Sequence, residues 1–386
     1  MKIISLENLP NNFRIGLDTE FRKALFNTCI KKISMNSLVK ELEYAKKTIE
    51  TLRRGYVSGG KNKKIRRRFL KAKTLRKLAQ IANVSFEKVE SHITEINSVN
   101  ASLKIKLPIY STRELTSLIG HCFGDGYVGT YFGYFNKCKD LIDEVRKNVE
   151  CIFKLRGNVI KNRGVYFLYF PGIVSQMLKL AGTPVGNKIK QILKVPIWIK
   201  NGNETIKSSF LRALFDDEAS VKFRGYNRLI QFRLFKNENL IKQHKEFIQD
   251  LQELLLDLDI KTTNLHEFKG TENGRYGKTI GVGFEISGQE NLLKFLEKID
   301  FAHPNKNNKL AMGIKSYKQI QYRKYEINKL ILRELNNGPR DAHIIADKLN
   351  RDYEYMLRRL RDLCNKGLIK KLDSTDAKLW KISTIK

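Results

Sequence analysis

The spacing of apolar and polar residues divides the chain into four stretches. From Asp18 to Ile96, apolar side chains return every three or four residues with no period-two run between them, which predicts an all-helical segment. Within it, Ser37 is placed to cap a short helix that turns Leu38, Val39 and Leu42 inward, Glu43-Tyr44-Ala45 forms a turn, and Lys46 to Arg54 forms a second helix closed by Gly55. The second helix packs Ile49 and Leu52 and leaves Lys46, Lys47 and Arg53 outward. That is helix-turn-helix spacing, shared with an ordinary helical hairpin. Ser98 to Ile109, with Pro108, is expected to be an extended basic linker, so a first domain of residues 1–107 ends there.

The next two stretches repeat one plan. Leu118 to Tyr127 and Leu211 to Ser220 are each an apolar helix with a small residue at the third position, Gly120 or Ala213, and an acid at the eighth, Asp125 or Glu218. Small residues let two helices cross closely, and the crossing would bring the two acids together at the helix C-terminal ends. Ser111-Thr112-Arg113-Glu114 supplies a capping box for the first helix. After the first motif come a strand-like Val128 to Phe135, a helical Asp140 to Lys154, a hairpin from Val159 to Phe170 around Asn162-Arg163-Gly164, and a short helix from Ile173 to Leu180. The same order runs through Val221 to Phe235, Glu238 to Leu258, Thr262 to Ile286 and Glu290 to Ile299, and Thr183 to Lys188 recurs as Ala302 to Lys306.

Two αββαββ units follow, over residues 108–203 and 204–322. In the second, Ile230, Phe232 and Leu234 alternate with Gln231 and Arg233, so one sheet face is apolar. The other, extended by Lys222 and Arg224, carries donors suited to base edges or simply faces solvent. The first sheet opens with Tyr131-Phe132-Gly133-Tyr134-Phe135, which has few donors, so it is expected to read fewer bases or to stack them as RNA-binding sheets do. Residues 323–386 form the last stretch: helices from Ile327 to Leu335, Ala342 to Leu349 and Tyr353 to Asn365, then a hairpin-like run ending Leu379-Trp380-Lys381-Ile382. This resembles a winged helix-turn-helix, with Arg358 and Arg359 available to a groove; a protein-binding winged helix is the alternative.

The two acid-ended motifs resemble those of the LAGLIDADG homing endonucleases in their single-chain form, over residues 110 to 320. The resemblance implies an α+β saddle of two pseudo-symmetric units with two DNA-facing antiparallel sheets. It implies Asp125 and Glu218 as catalytic ligands of a divalent metal, Mg2+, and Lys278 and Arg163 as the basic side chains near the scissile phosphates. Lys269 and Arg275 are expected to join the DNA contacts of the second unit. The motifs depart from the family pattern in three places. Phe123 holds position six of the first motif, Asp217 replaces a small residue at position seven of the second, and Glu218-Ala219 stands for Asp-Gly. The run Asp216-Asp217-Glu218 offers more than one acid; register assigns the metal to Glu218 and turns Asp217 elsewhere on the helix.

Composition narrows the partner. Lys and Arg number 73 against 40 Asp and Glu, a net charge of +33 that calls for a polyanion. Lys61 to Lys77 alone holds ten basic residues and no acid, and Lys64, Arg66, Arg67 and Arg68 are expected on phosphate. Membrane is set aside, because no basic amphipathic helix with a clean apolar face and no apolar run of spanning length occurs; an intracellular, nucleoid-associated location is expected. Five scattered cysteines and six scattered histidines give no zinc spacing, so any metal would have oxygen ligands. The chain begins at Met1 and ends Thr384-Ile385-Lys386, which is read as free-standing rather than as a splicing element. The expectation is a monomeric site-specific endonuclease acting on double-stranded DNA. A transcription regulator on the same scaffold and an intron RNA maturase, with RNA as partner, are the alternatives.

Overall fold

In the computed structural model the two motif helices, Arg113–Phe123 and Glu204–Glu218, cross at the centre of the molecule. A Cβ on Gly120 would stand 2.6 Å from the Phe210 carbonyl oxygen and 2.7 Å from the Ala213 Cβ, so the backbones meet where the sequence is smallest. Thr112 caps the first helix, its hydroxyl accepting from the Leu115 amide at 3.2 Å, and Asn203 caps the second through the Ile206 amide at 3.1 Å. The structure describes all residues except 58–65, 99–100, 225–226, 273, 276, 318–323, 350, 352, 374–377 and 384–386.

Each motif helix feeds an antiparallel four-stranded sheet backed by helices. The first sheet is built from Gly126–Val128, Phe132–Asn136, Asn158–Asn162 and Val165–Phe170, with Phe132–Asn136 and Val165–Phe170 central. The second comprises Ala219–Arg224, Asn227–Asn237, His266–Lys269 and Thr279–Ser287 in the equivalent order. Phe132, Tyr134, Leu168 and Phe170 face helix Lys139–Phe153, through Leu141, Val145 and Val149, while Phe232, Phe284 and Ile286 pack in the second unit against helices Ile241–Leu256 and Gln289–Lys298. Side chains alternate between the two faces along each strand, so the register fixes which face is left to solvent, because a one-residue slip would exchange the faces.

The first hundred residues depart from the all-helical expectation. Arg14–Leu17, Leu70–Lys71, Ile93–Asn97 and Ser102–Leu103 form a four-stranded sheet against which helices Thr19–Ile33 and Ala72–Ala82 pack. These strands are two to five residues long, too short for alternation to stand out from helical periodicity. Ser98 to Ile109 is likewise no free linker: Leu103, Ile105 and Leu107 are buried, and Ile109–Tyr110 pairs with Lys2–Ile4. Helix Met35–Leu42 is capped by Ser34, at φ 68°, rather than by Ser37, and Lys46–Arg54 ends at Gly55, at φ 84°, as expected. At the other end, helices Lys324–Asn336, Ala342–Lys348 and Tyr353–Asn365 and the hairpin Ile369–Asp373 with Lys378–Ile382 enclose a core of their own around Ile327, Ile331, Leu360 and Trp380.

Candidate active site at the motif-helix crossing

Because successive helical residues point about 100° apart, the three acids that end the second motif helix have three separate fates. Asp216 is 2% exposed and accepts from the amides of Ala302 (3.0 Å) and His303 (2.9 Å), tying the helix to the start of Pro304–Ser316. Asp217 turns into the crossing, not away from it as expected: its carboxylate accepts from the Tyr134 hydroxyl at 2.6 Å, the Asp125 amide at 3.0 Å and His121 Nδ1 at 3.1 Å. Its side chain is fully buried, and a Cβ on Gly124 would clash with it, so glycine at 124 belongs to the same device. Glu218, the third acid, is half-buried and lies close enough to Asp125 for their charges to interact.

Both of these front acids are hard to ionise. Burial, then the charge of Asp217, pushes Asp125 up to about 7, although the residue reaches solvent at the molecular surface; burial, then Asp125, pushes Glu218 up to about 8. Asn136 Nδ2 donates to the Asp125 carboxylate at 2.9 Å. For His121, burial opposes protonation, but Asp217 beside it outweighs burial and raises its pKa; the other ring nitrogen, Nε2, is buried without a partner. Burial and Asp217 also hold the Tyr134 hydroxyl protonated as a donor.

The cations that face these acids are Lys188 and Lys306, not Lys278 and Arg163. Lys188 Nζ donates to the carbonyls of Cys122 (3.2 Å), Gly124 and Gly126 (2.7 Å), at the end of the first motif helix; Lys306 Nζ donates to Phe215 (3.3 Å) and Asp216 carbonyls at the end of the second. Helix C-termini attract cations, and the pseudo-symmetric pair obeys that rule. Both are lowered in pKa by burial, with Asp125, Asp217 and Glu218 pulling the other way. A buried third lysine, Lys236, donates to the carbonyls of Lys188 and Gln191 (3.4 Å), so a strand of the second unit holds the lysine of the first in place. The signal was in the sequence, in the matched Thr183 to Lys188 and Ala302 to Lys306 tails. Only the chain's path back to the helix ends gives those tails their role. Lys278 instead pairs with Glu238 at 2.9 Å, and exposed Arg163 occupies the hairpin tip between strands Asn158–Asn162 and Val165–Phe170 of the first sheet, at φ 48°.

Two carboxylates flanked by helix-end carbonyls are a hard oxygen donor set of the kind Mg2+ takes. Among the described residues no cluster of three or more His, Cys, Asp or Glu is arranged to hold an ion, so an ion here would rest on Asp125 and Glu218 and complete its shell with water.

The expected nucleic-acid contacts are dispersed. Lys46, Lys47, Arg66 and Arg68 are exposed and Arg53 half-buried; Arg67 is exposed and pairs with Glu95 at 3.1 Å. The basic run is partly structural: Arg76 donates to the Leu6 and Leu9 carbonyls, and Lys77 pairs with Glu41 at 3.0 Å. Lys64 and the Arg224 side chain lie outside the described residues. On the second sheet Arg233 is exposed, but Gln231 is 2% exposed and saturated, accepting from Lys222 Nζ at 2.6 Å and donating to Glu285 at 2.9 Å; the expectation that it offers a free donor to base edges is corrected. Lys269 pairs with Glu272 at 3.2 Å, Arg275 is exposed, Arg358 is exposed, and half-buried Arg359 contacts Asp362 and Tyr355.

Residues 205–300 match the family model described as a LAGLIDADG-like domain, so the second unit is a LAGLIDADG-like domain. The tRNA-splicing ligase RtcB of Pyrococcus furiosus is 25% identical over 270 residues, which are 62% of this chain and 27% of the ligase. The isomerizing glutamine--fructose-6-phosphate aminotransferase of Methanocaldococcus jannaschii is 22% identical over 78% of this chain and 26% of that protein. The chain thus spans about a quarter of the length of these curated relatives. Among solved structures, full-length DUF199/WhiA from Thermatoga maritima aligns at TM-score 0.34 and 15% identity over 67% of this chain and 93% of that one. The homing endonuclease I-WcaI bound to its DNA recognition sequence aligns at TM-score 0.34 and 17% identity, over 52% and 86%.

Proposed function

We propose that this chain is a site-specific endonuclease of double-stranded DNA, with Asp125 and Glu218 as its two catalytic carboxylates. One observation carries the reading: two pseudo-symmetric helix ends bring one acid and one lysine each to a single point between two sheets. Bound there, a divalent ion such as Mg2+ would lower the pKa of a coordinated water and stabilise the departing oxygen. Asp125 and Glu218 would hold such an ion, Lys188 and Lys306 would supply fixed positive charge beside a phosphate, and Asp217 keeps the Asp125 backbone in place. The second sheet and the exposed basic side chains position the duplex through phosphate and groove contacts. The terminal modules extend that grip: Lys46–Arg54 as the second helix of a helix-turn-helix, and Tyr353–Asn365 as the recognition helix of a winged helix. Proteins as unlike in name as a tRNA-splicing ligase and an aminotransferase each contain a segment similar to this chain in about a quarter of their length. A module inserted into different hosts has that distribution, and homing produces it.

The test is selection for cleavage from a randomised duplex library in Mg2+, with Asp125→Asn and Glu218→Gln as controls. Recovery of one long site, cut by the wild type and bound but uncut by both variants, is the expected result. A second reading, a DNA-binding regulator on the same scaffold, is favoured by the way both lysines spend their donors on backbone carbonyls; it predicts that the library yields a bound site that Mg2+ never converts to product.

A further inference from the structure

The two sheets present different chemistry on their open faces. On the second sheet that face carries Lys222 and Arg233. On the first, the side chains opposite buried Phe132, Tyr134, Leu168 and Phe170 are aromatic: Tyr127, Tyr131, Phe135, Phe167 and Tyr169. They form one continuous patch. Tyr127 and Tyr131 lie 4.9 Å apart between ring centroids, Tyr131 and Tyr169 5.5 Å, Tyr169 and Phe135 5.7 Å, and Phe135 and Phe167 5.5 Å. Gly133 lies beneath the patch, opposite Tyr169 on the neighbouring strand, and a Cβ there would strike the rings of Phe135 and Tyr131, so glycine is what lets the rings close over the sheet. Tyr131 is 36% exposed, the other four are half-buried, and Ile160 on the adjoining edge strand is 56% exposed.

We propose that this aromatic face is a platform on which unpaired nucleobases stack, so that the first sheet takes single-stranded nucleic acid while the second takes duplex. Five rings on one open sheet face are the hardware of sequence-tolerant base stacking, because every base has a π-face. Charge identifies the occupant as a nucleic acid rather than an apolar protein segment. None of the four strands carries an acid, Lys137, Lys161 and Arg163 are exposed at the margins, and the chain holds an excess of 33 positive charges for a phosphate backbone to meet. A paired base cannot use the platform, since its faces are covered by its neighbours in the duplex. A strand opened near the crossing, or a looped RNA, presents them.

The experiment uses the full-length protein without divalent ions, so its outcome is independent of cleavage. Binding of dT12 and U12 is measured by tyrosine fluorescence and anisotropy against an abasic 12-mer of equal charge. The expected result is a clear preference for the base-bearing strands. Tyr131→Leu with Tyr169→Leu weakens it about tenfold, with an unchanged salt slope and unchanged affinity for a 30-base-pair duplex, while Tyr131→Phe with Tyr169→Phe retains it. The ratio of U12 to dT12 affinity tells RNA from DNA. Equal binding of the abasic strand, or full affinity in the leucine variant, overturns the proposal. So does self-association of the wild type that the leucine variant abolishes, which would assign the face to a second copy of the chain.

Discussion

Asp217 sits where a small residue would let the motif helices pass, and the structure admits it because both carboxylate oxygens are hydrogen-bonded, Oδ1 by Tyr134 and Oδ2 by His121 and the Asp125 amide. Replacing it is therefore destabilising. Asp217→Asn keeps the volume but leaves His121 buried without its counter-charge, and breaking such a buried pair costs about 3 kcal/mol; thermal or urea unfolding reads the loss. Asp125→Asn and Glu218→Gln, by contrast, remove like charges from a crowded site, so the variants fold and bind DNA while cleavage falls by several orders of magnitude, as measured by single-turnover assays in Mg2+ with binding in Ca2+. The raised pKa values add a pH signature. With folded values near 7 and 8 against ordinary values of 3.8 and 4.5, the folded chain keeps protons that the unfolded chain has released, so these groups stabilise the fold at low pH and that contribution is lost as pH rises through about 7 to 8. Without divalent ions the melting temperature should fall between pH 5 and pH 8, and the fall should shrink in Asp125→Asn and Glu218→Gln. A melting temperature with the same pH dependence in the double variant would show that these carboxylates are not the cause.

At the scale of elements, the crossing rests on Gly120. Val at this position would drive methyl groups into the Phe210 carbonyl and Ala213, atoms of a helix backbone that cannot move aside without separating the two units. Overpacking of this kind costs about 1–3 kcal/mol or more, and Gly120→Val should lose cleavage together with stability, since the acids part when the helices do. Gly164 is the contrast: it has φ +79° but nothing within 4 Å of an added Cβ, so Gly164→Ala should cost only the backbone strain, about 1 kcal/mol, and leave the site intact. Chemical denaturation of the two variants side by side separates packing from backbone effects. Both crossing glycine and turn glycine were visible in the sequence as spacing; the sequence did not show what each one touches.

Across the whole molecule, the core formed by residues 1–317 is continuous, while the last helices and hairpin close around a separate one, with Trp380 packed against Ile327 and Ile331. Removal of residues 324–386 should therefore leave the crossing folded, weaken DNA binding and spare cleavage at saturating protein; a folded truncation that cannot cut would place the tail in the active site. The charge excess operates at this scale too, because surface lysines and arginines spread over all parts of the chain act together. Affinity for duplex should fall steeply with salt, by about 0.9 in log–log slope for each phosphate contact, and a flat titration between 50 and 200 mM salt would leave the +33 charge without a nucleic-acid role.

The sequence by itself determined what periodicity and repetition can encode: two motif helices with small residues at their crossing, the hairpin-helix order that follows each, the last three helices and hairpin, and a net charge that needs a polyanion. Those features are local or additive, so a one-dimensional pattern holds them. It missed the short strands of the first hundred residues, because runs of two to five residues paired over long separations leave no period of their own. Tertiary structure alone decided the roles of the charged residues. Lys188 and Lys306 reach the helix ends from more than sixty residues away in sequence, while Lys278 pairs with Glu238, and one turn of helix sends Asp216 to a backbone cap, Asp217 into a buried network and Glu218 toward Asp125. Which of several like charges meets a given partner depends on distances in space, and a linear sequence contains no measure of those.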